Sequence, residues 1–214
     1  MTARRSILTR FGALAAALAV GSSDTFALPQ STQPSSGDRW QPAREAKDDW
    51  FDQIPGKHRI FFDTLTDGGL REARAFAGNY FEGNKSAYGL EASELAVVLC
   101  LRHSATPFAF TDPFWAKYGP VIAETIKLTD PKLTANPHRA PLEALAKWGV
   151  HYAICDMASH RYAGLIARKV DGGNADAIYA EMTANVVPNA HFVAAGIIAV
   201  NRAQERGYSI AYTG

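Results

Sequence analysis

Residues 95–104 read Leu95-Ala96-Val97-Val98-Leu99-Cys100-Leu101-Arg102-His103-Ser104. Seven apolar residues run without alternation and then stop on three polar ones. A strand with one wet face alternates apolar and polar residues. A strand covered on both faces does not, so this run predicts a central strand of a sheet sandwiched between helices.

Working outward, the same kind of short apolar run recurs between helical patterns. Upstream, Arg59–Phe62 predicts a first strand. After it, Asp67-Gly68-Gly69 opens a helix with Leu70, Ala73, Ala77, Tyr80 and Phe81 at helical spacing. Downstream, Asp112 is placed to cap a helix that has Pro113 at its first position and bears Phe114, Trp115 and Tyr118, and Pro120 is expected to break or restart it. Residues 128–139 read as loop, and Pro141 starts a helix that Gly149 ends. Val150–Cys155 predicts a third strand. Helices follow near Ala158–Lys169 and Ala175–Val186, then a short strand Ala190–Val193, a helix Gly196–Arg206 and a last strand Tyr208–Tyr212. Five strands separated by helices predict an α/β domain with a mostly parallel sheet and helices on both faces. The aromatic group Phe108, Phe110, Phe114, Trp115 and Tyr118 reads as core or subunit interface rather than a cofactor box.

The chain has 214 residues, enough for one substantial core. Residues 1–27 combine an arginine pair, Arg4-Arg5, with an alanine-rich apolar stretch from Phe11 to Gly21 and the small-residue cut Thr25-Phe26-Ala27. The apolar stretch is too short to span a bilayer. The pattern resembles a twin-arginine export signal, which implies a periplasmic or otherwise exported mature protein, folded before export. Without residues 1–27 the formal charge is −1, because they hold three arginines and Asp24. That balance offers no electrostatic footprint for nucleic acid or an anionic membrane. Residues 28–57, with Pro29, Pro34 and Pro42, read as a linker carrying a short helical turn near Arg44–Trp50, from which Trp40 and Trp50 pack back onto the domain.

In an open parallel sheet, ligands gather at the carboxyl ends of the strands. There the sequence places Asp63 and Thr64 after the first strand, Arg102, His103 and Ser104 after the second, Cys155 and Asp156 after the third, and Gly196 after the fourth. Cys155 is the leading catalytic candidate. A helix start beside it favours the reactive thiolate, and the charge of Asp156 opposes it. His103 is the second catalytic candidate, as a base, a ligand or an anion contact, the alternative being a histidine satisfied by a backbone carbonyl. Asp63, Thr64, Arg102, Ser104 and Gly196 are candidate ligand contacts. Cys100, inside the second strand, reads as core. A Cys100–Cys155 bridge is disfavoured by parallel-sheet geometry. Cys155, Met157 and His160 form a loose soft-metal spacing that no paired motif reinforces, so no metal site or cofactor is assigned. There is no Gly-rich phosphate loop and no nucleophile elbow.

The stretch Leu142–Cys155 ("LEALAKWGVHYAIC"), followed by Val187–Gly214 ("VPNAHFVAAGIIAVNRAQERGYSIAYTG"), resembles the DsrE/DsrF-like proteins. The run ending in His103 is similar to that family's second strand. The resemblance covers most of residues 58–214. It implies a flavodoxin-like three-layer α/β/α sandwich, a homo-oligomer, a sulfur donor or acceptor protein as partner, and a sulfane sulfur carried on Cys155. Export and the long segments 111–140 and 167–186 depart from the family pattern. The alternative is a non-catalytic oligomeric module that binds a small ligand, a metal or haem.

Overall fold

The computed structural model describes residues 40–214; the segment expected to be an export signal and the first part of the expected linker lie outside the described residues. Five strands form one all-parallel sheet: β1 (His58–Thr64), β2 (Leu95–Leu101), β3 (His151–Cys155), β4 (Ala190–Val193) and β5 (Ser209–Thr213), in the order β4-β3-β2-β1-β5. The expected α/β/α sandwich is present. β2 is buried along all seven residues, as its unbroken apolar run requires.

The helices are α1 (Trp50–Gln53), α2 (Asp67–Tyr88), α3 (Asp112–Thr125), α4 (Arg139–Lys147), α5 (Asp156–Ala167), α6 (Ala175–Ala184) and α7 (Gly196–Glu205). The strand order explains how they divide. The chain steps in one direction from β1 to β4, so right-handed crossovers put α2 to α6 on one face. It then returns across the sheet to β5, which puts α7 on the other. The cores confirm the division. Phe62, Val97, Leu99, Leu101, Tyr152 and Ile154 pack with Leu70, Phe114, Leu142, Tyr162 and Ile178 of the helical face. Their strand neighbours Phe61, Val98, Cys100, Ala153 and Val193 pack with Ala199 and Ala203 of α7.

One helix does not cover that second face, and the segment read as linker completes it. Phe51 of α1 is fully buried there. Arg59 donates to the Phe51 and Ile54 carbonyls at 2.9 and 3.2 Å, and the Tyr208 hydroxyl donates to the Phe51 carbonyl at 2.8 Å. Trp50 lies flat on His191, with centroids 4.0 Å apart, while Trp40 is exposed.

Two details differ from expectation. α3 runs through Pro120, which stands on an exposed side of the helix. Asp112 does not cap α3; the N-cap is Thr111. Asp112 instead accepts from the Asn136 amide at 2.9 Å and pairs with Arg139 at 2.6 Å, anchoring the long segment between α3 and α4. The aromatic group is core: Phe108 stacks on Trp115, whose indole N–H donates to the Pro107 carbonyl at 3.1 Å.

Two predictions follow from the α7 face. Phe51→Ala leaves a cavity beneath the segment and is expected to lower stability by about 3 kcal/mol in urea denaturation. His151 and His191 touch at 2.9 Å. Burial holds His151 below its ordinary value, and burial together with His151 holds His191 at about 4, against an ordinary 6.5. Between these values the folded chain binds fewer protons than the unfolded chain, so stability is full above pH 6.5 and is lost as pH falls toward 4. The thermal midpoint should drop across that window, and His191→Gln should shrink the drop.

Candidate functional site

The carboxyl ends of β2, β3 and β4 open on a cavity of about 280 Å³ lined by Arg102, His103, Cys155, Met157, Arg161 and Gly196, among others. Register explains the gathering. Asp63 lies opposite Cys100, Cys100 opposite Ala153, and Cys155 opposite Val193. Because side chains alternate along a strand, Asp63, Cys100, Arg102 and Cys155 all project to the α7 face.

Asp63 is 5% exposed and accepts two bonds from Arg102, Nε at 2.6 Å and Nη2 at 2.8 Å. This bidentate pair holds Arg102 across the strand ends, and the hydrogen bonds raise the guanidinium above its ordinary pKa. The aliphatic stem of Arg102 then runs against Gly196, the first residue of α7. A Cβ on Gly196 would lie 2.5 Å from Arg102 Cδ and 2.6 Å from its Cβ. Only glycine allows α7 to start there.

The next residue, His103, is exposed and has φ = 56°. Left-handed backbone is costly for a residue with a side chain and recurs where a side chain is aimed for function. It turns His103 to the Cys155 cavity, whereas Ser104 lines a separate cavity of about 390 Å³ with Thr66, Asp67, Arg71 and Lys127.

Cys155 is the N-cap of α5, and Ala195 is the N-cap of α7; neither helix start has a side-chain cap. Two helix N-termini therefore meet at one cavity, and both favour negative charge there. Asp156 is drawn away: it accepts from the Tyr179 hydroxyl at 2.5 Å, and burial plus this bond raise Tyr179 to about 12. Cys155 is a free thiol, 7% exposed.

The structure thus brings together Cys155, His103, Arg102 and Gly196, with Asp63 behind Arg102. Thr64 is not in the cavity. It is fully buried and its hydroxyl meets that of Thr213 at 3.1 Å, tying β1 to β5. Ser104 belongs to the neighbouring cavity. His160 points elsewhere, stacking on Tyr179 at 3.8 Å, and so does not join Cys155 and Met157. Among the described residues no three His, Cys, Asp or Glu side chains gather closely enough to hold a metal ion. Sequence reasoning missed Arg161. The available signal was helical spacing, since Arg161 lies four residues after Met157 and so shares its helix face.

No protein-family model matches the chain, and no curated protein matches it.

Asp63→Ala would leave the Arg102 guanidinium half-buried without its carboxylate. A loss of about 2 kcal/mol is expected in chemical denaturation, less than for a fully buried pair because Arg102 keeps some solvent contact.

Proposed function

We propose that this chain is an exported DsrE-like sulfur carrier in which Cys155 accepts and passes on a sulfane sulfur. The observation that carries this reading is the setting of Cys155: a free thiol lining an open cavity together with Arg102, His103 and Arg161, at the uncapped start of one helix and near that of another. A core thiol packed only against apolar groups would have no such neighbours. In the transfer, the Cys155 thiolate attacks the outer sulfur of a donor persulfide. A new S–S bond forms on Cys155, the donor's S–S bond breaks, and the donor leaves as a thiolate. His103, which lines the same cavity, is assigned the role of taking the Cys155 proton and returning it to the leaving thiolate. Arg102, Arg161 and the helix starts hold the negative charge of the carried sulfur. The twin-arginine leader delivers this thiol, already folded in place, to an oxidising compartment.

The rim of the cavity supports a partner. Met157 and Ile197, which line it, are 69% and 62% exposed. Apolar side chains grouped beside a reactive thiol suit a protein surface that delivers or collects sulfur, or a second copy of this chain. They also favour a second reading, a non-catalytic binding module using the same edge.

Purified full chain treated with inorganic polysulfide should gain sulfur at Cys155 by peptide mass mapping. Cys155→Ser should gain none there, and His103→Ala should gain it more slowly. A wild-type chain that takes up no sulfur at Cys155 sinks the carrier reading, and a Cys155→Ser chain with full biological function favours the binding module. Replacing Arg4 and Arg5 together with lysine should hold the protein in the cytoplasm, read by fractionation.

A further inference from the structure

The sequence contains two cysteines, and both are free thiols. Cys100 pairs with Ala153 on the neighbouring strand, and Cys155 lies two residues further along that strand. Both side chains therefore project to the α7 face. The Cys100 thiol points to the Gly196 carbonyl, 4.0 Å away, and Gly196 also lines the Cys155 cavity. Gly196 thus touches the Cys100 thiol and lines the cavity that Cys155 also lines.

Their spacing decides what they can form. Two residues along a strand at about 3.3 Å each, and one strand across at about 4.8 Å, separate the Cα atoms by about 8 Å. A disulfide requires less than about 7 Å. A direct bridge is out of reach of the sheet as built. One intervening sulfur adds another S–S bond of about 2 Å and closes the gap.

We propose that Cys100 is the second thiol of the sulfur site, and that the sulfur taken up by Cys155 is held as a bridge, Cys155 Sγ–S–Sγ Cys100. The proposal rests on the sulfur-carrier reading and names its substrate class: organic trisulfides, R–S–S–S–R. The Cys155 thiolate attacks the central sulfur, forming one S–S bond and releasing R–S⁻. The Cys100 thiol then attacks the same sulfur, forming a second S–S bond and expelling the other R–S⁻. The two thiol protons end on the two released thiols. Two S–S bonds break and two form, so no outside oxidant is required.

The division of labour follows from burial. Cys100 is fully buried, and desolvation, helped by the charge of Asp63 and by Cys155, pushes its thiol well above the ordinary range. Such a thiol is a slow first nucleophile and a poor leaving group. Cys155, at the cavity, opens the donor; Cys100 closes the bridge once a reactive sulfur is delivered beside it, and then releases it slowly.

The test treats the full chain with glutathione trisulfide and measures intact mass and mapped peptides. The expected product gains about 30 Da, one sulfur less two hydrogens, with the Cys100 and Cys155 peptides linked. Cys100→Ala and Cys100→Ser, each checked for native circular dichroism, should instead carry an open adduct on Cys155. A wild-type chain with an open adduct on Cys155 and an alkylatable Cys100 overturns the bridge and leaves the carrier reading standing. A loss of about 2 Da, marking a direct disulfide, also overturns the bridge. No sulfur on Cys155 overturns both.

Discussion

The bidentate contact between Asp63 and Arg102 organises the carboxyl edge of the sheet. It joins the ends of β1 and β2 and lies 5% exposed on its carboxylate side. An arginine turned inward at a strand end needs such a partner, because a half-buried charge without one is costly. With it, the arginine stem becomes a wall. α7 begins against that wall at Gly196, and His103 leaves it in a left-handed turn. The cavity around Cys155 is the space between these consequences.

The strand order β4-β3-β2-β1-β5 makes the two faces unequal. Five helices cover one face, and only α7 and the short α1 lie on the other, so the second core is smaller and depends on Phe51 and Ile54 from the N-terminal segment. The candidate site sits at the strand ends, where Arg102 and Cys155 project to this thinner side and α5 contributes Met157 and Arg161. A reactive group there lies close to solvent, while the thick face supplies the rigidity of β2 and β3. Reactive side chains on rigid strand ends, with a thin cover, combine fixed geometry with access.

Much of this was legible in the sequence. The Leu95–Leu101 run announced a strand buried on both sides, and Leu70, Ala73 and Ala77 announced the helix that packs on it. Cys155, His103, Arg102 and Gly196 were readable as one edge because a parallel sheet sends all its carboxyl ends the same way. The roles of Thr64 and Ser104 were not readable. They neighbour site residues in sequence, but side-chain alternation and the turn at His103 send them to different places. Phe51 was missed because its surroundings, rich in charge and proline, read as linker; its burial depends on an open sheet face that no local pattern reveals. Pro120 reads as a helix breaker, yet neighbouring packing carries α3 through it.

Local pattern by itself determined the elements, the parallel sheet and the edge on which chemistry gathers, because periodicity and strand direction are properties of short segments. Only the tertiary structure decided which of those edge residues meet. That choice depends on inter-strand register, which sets Cys100 and Cys155 on one face but two steps apart. It depends as well on the pairing of Asp63 with Arg102, a contact between residues far apart in the chain whose energy exists only once the strands lie side by side.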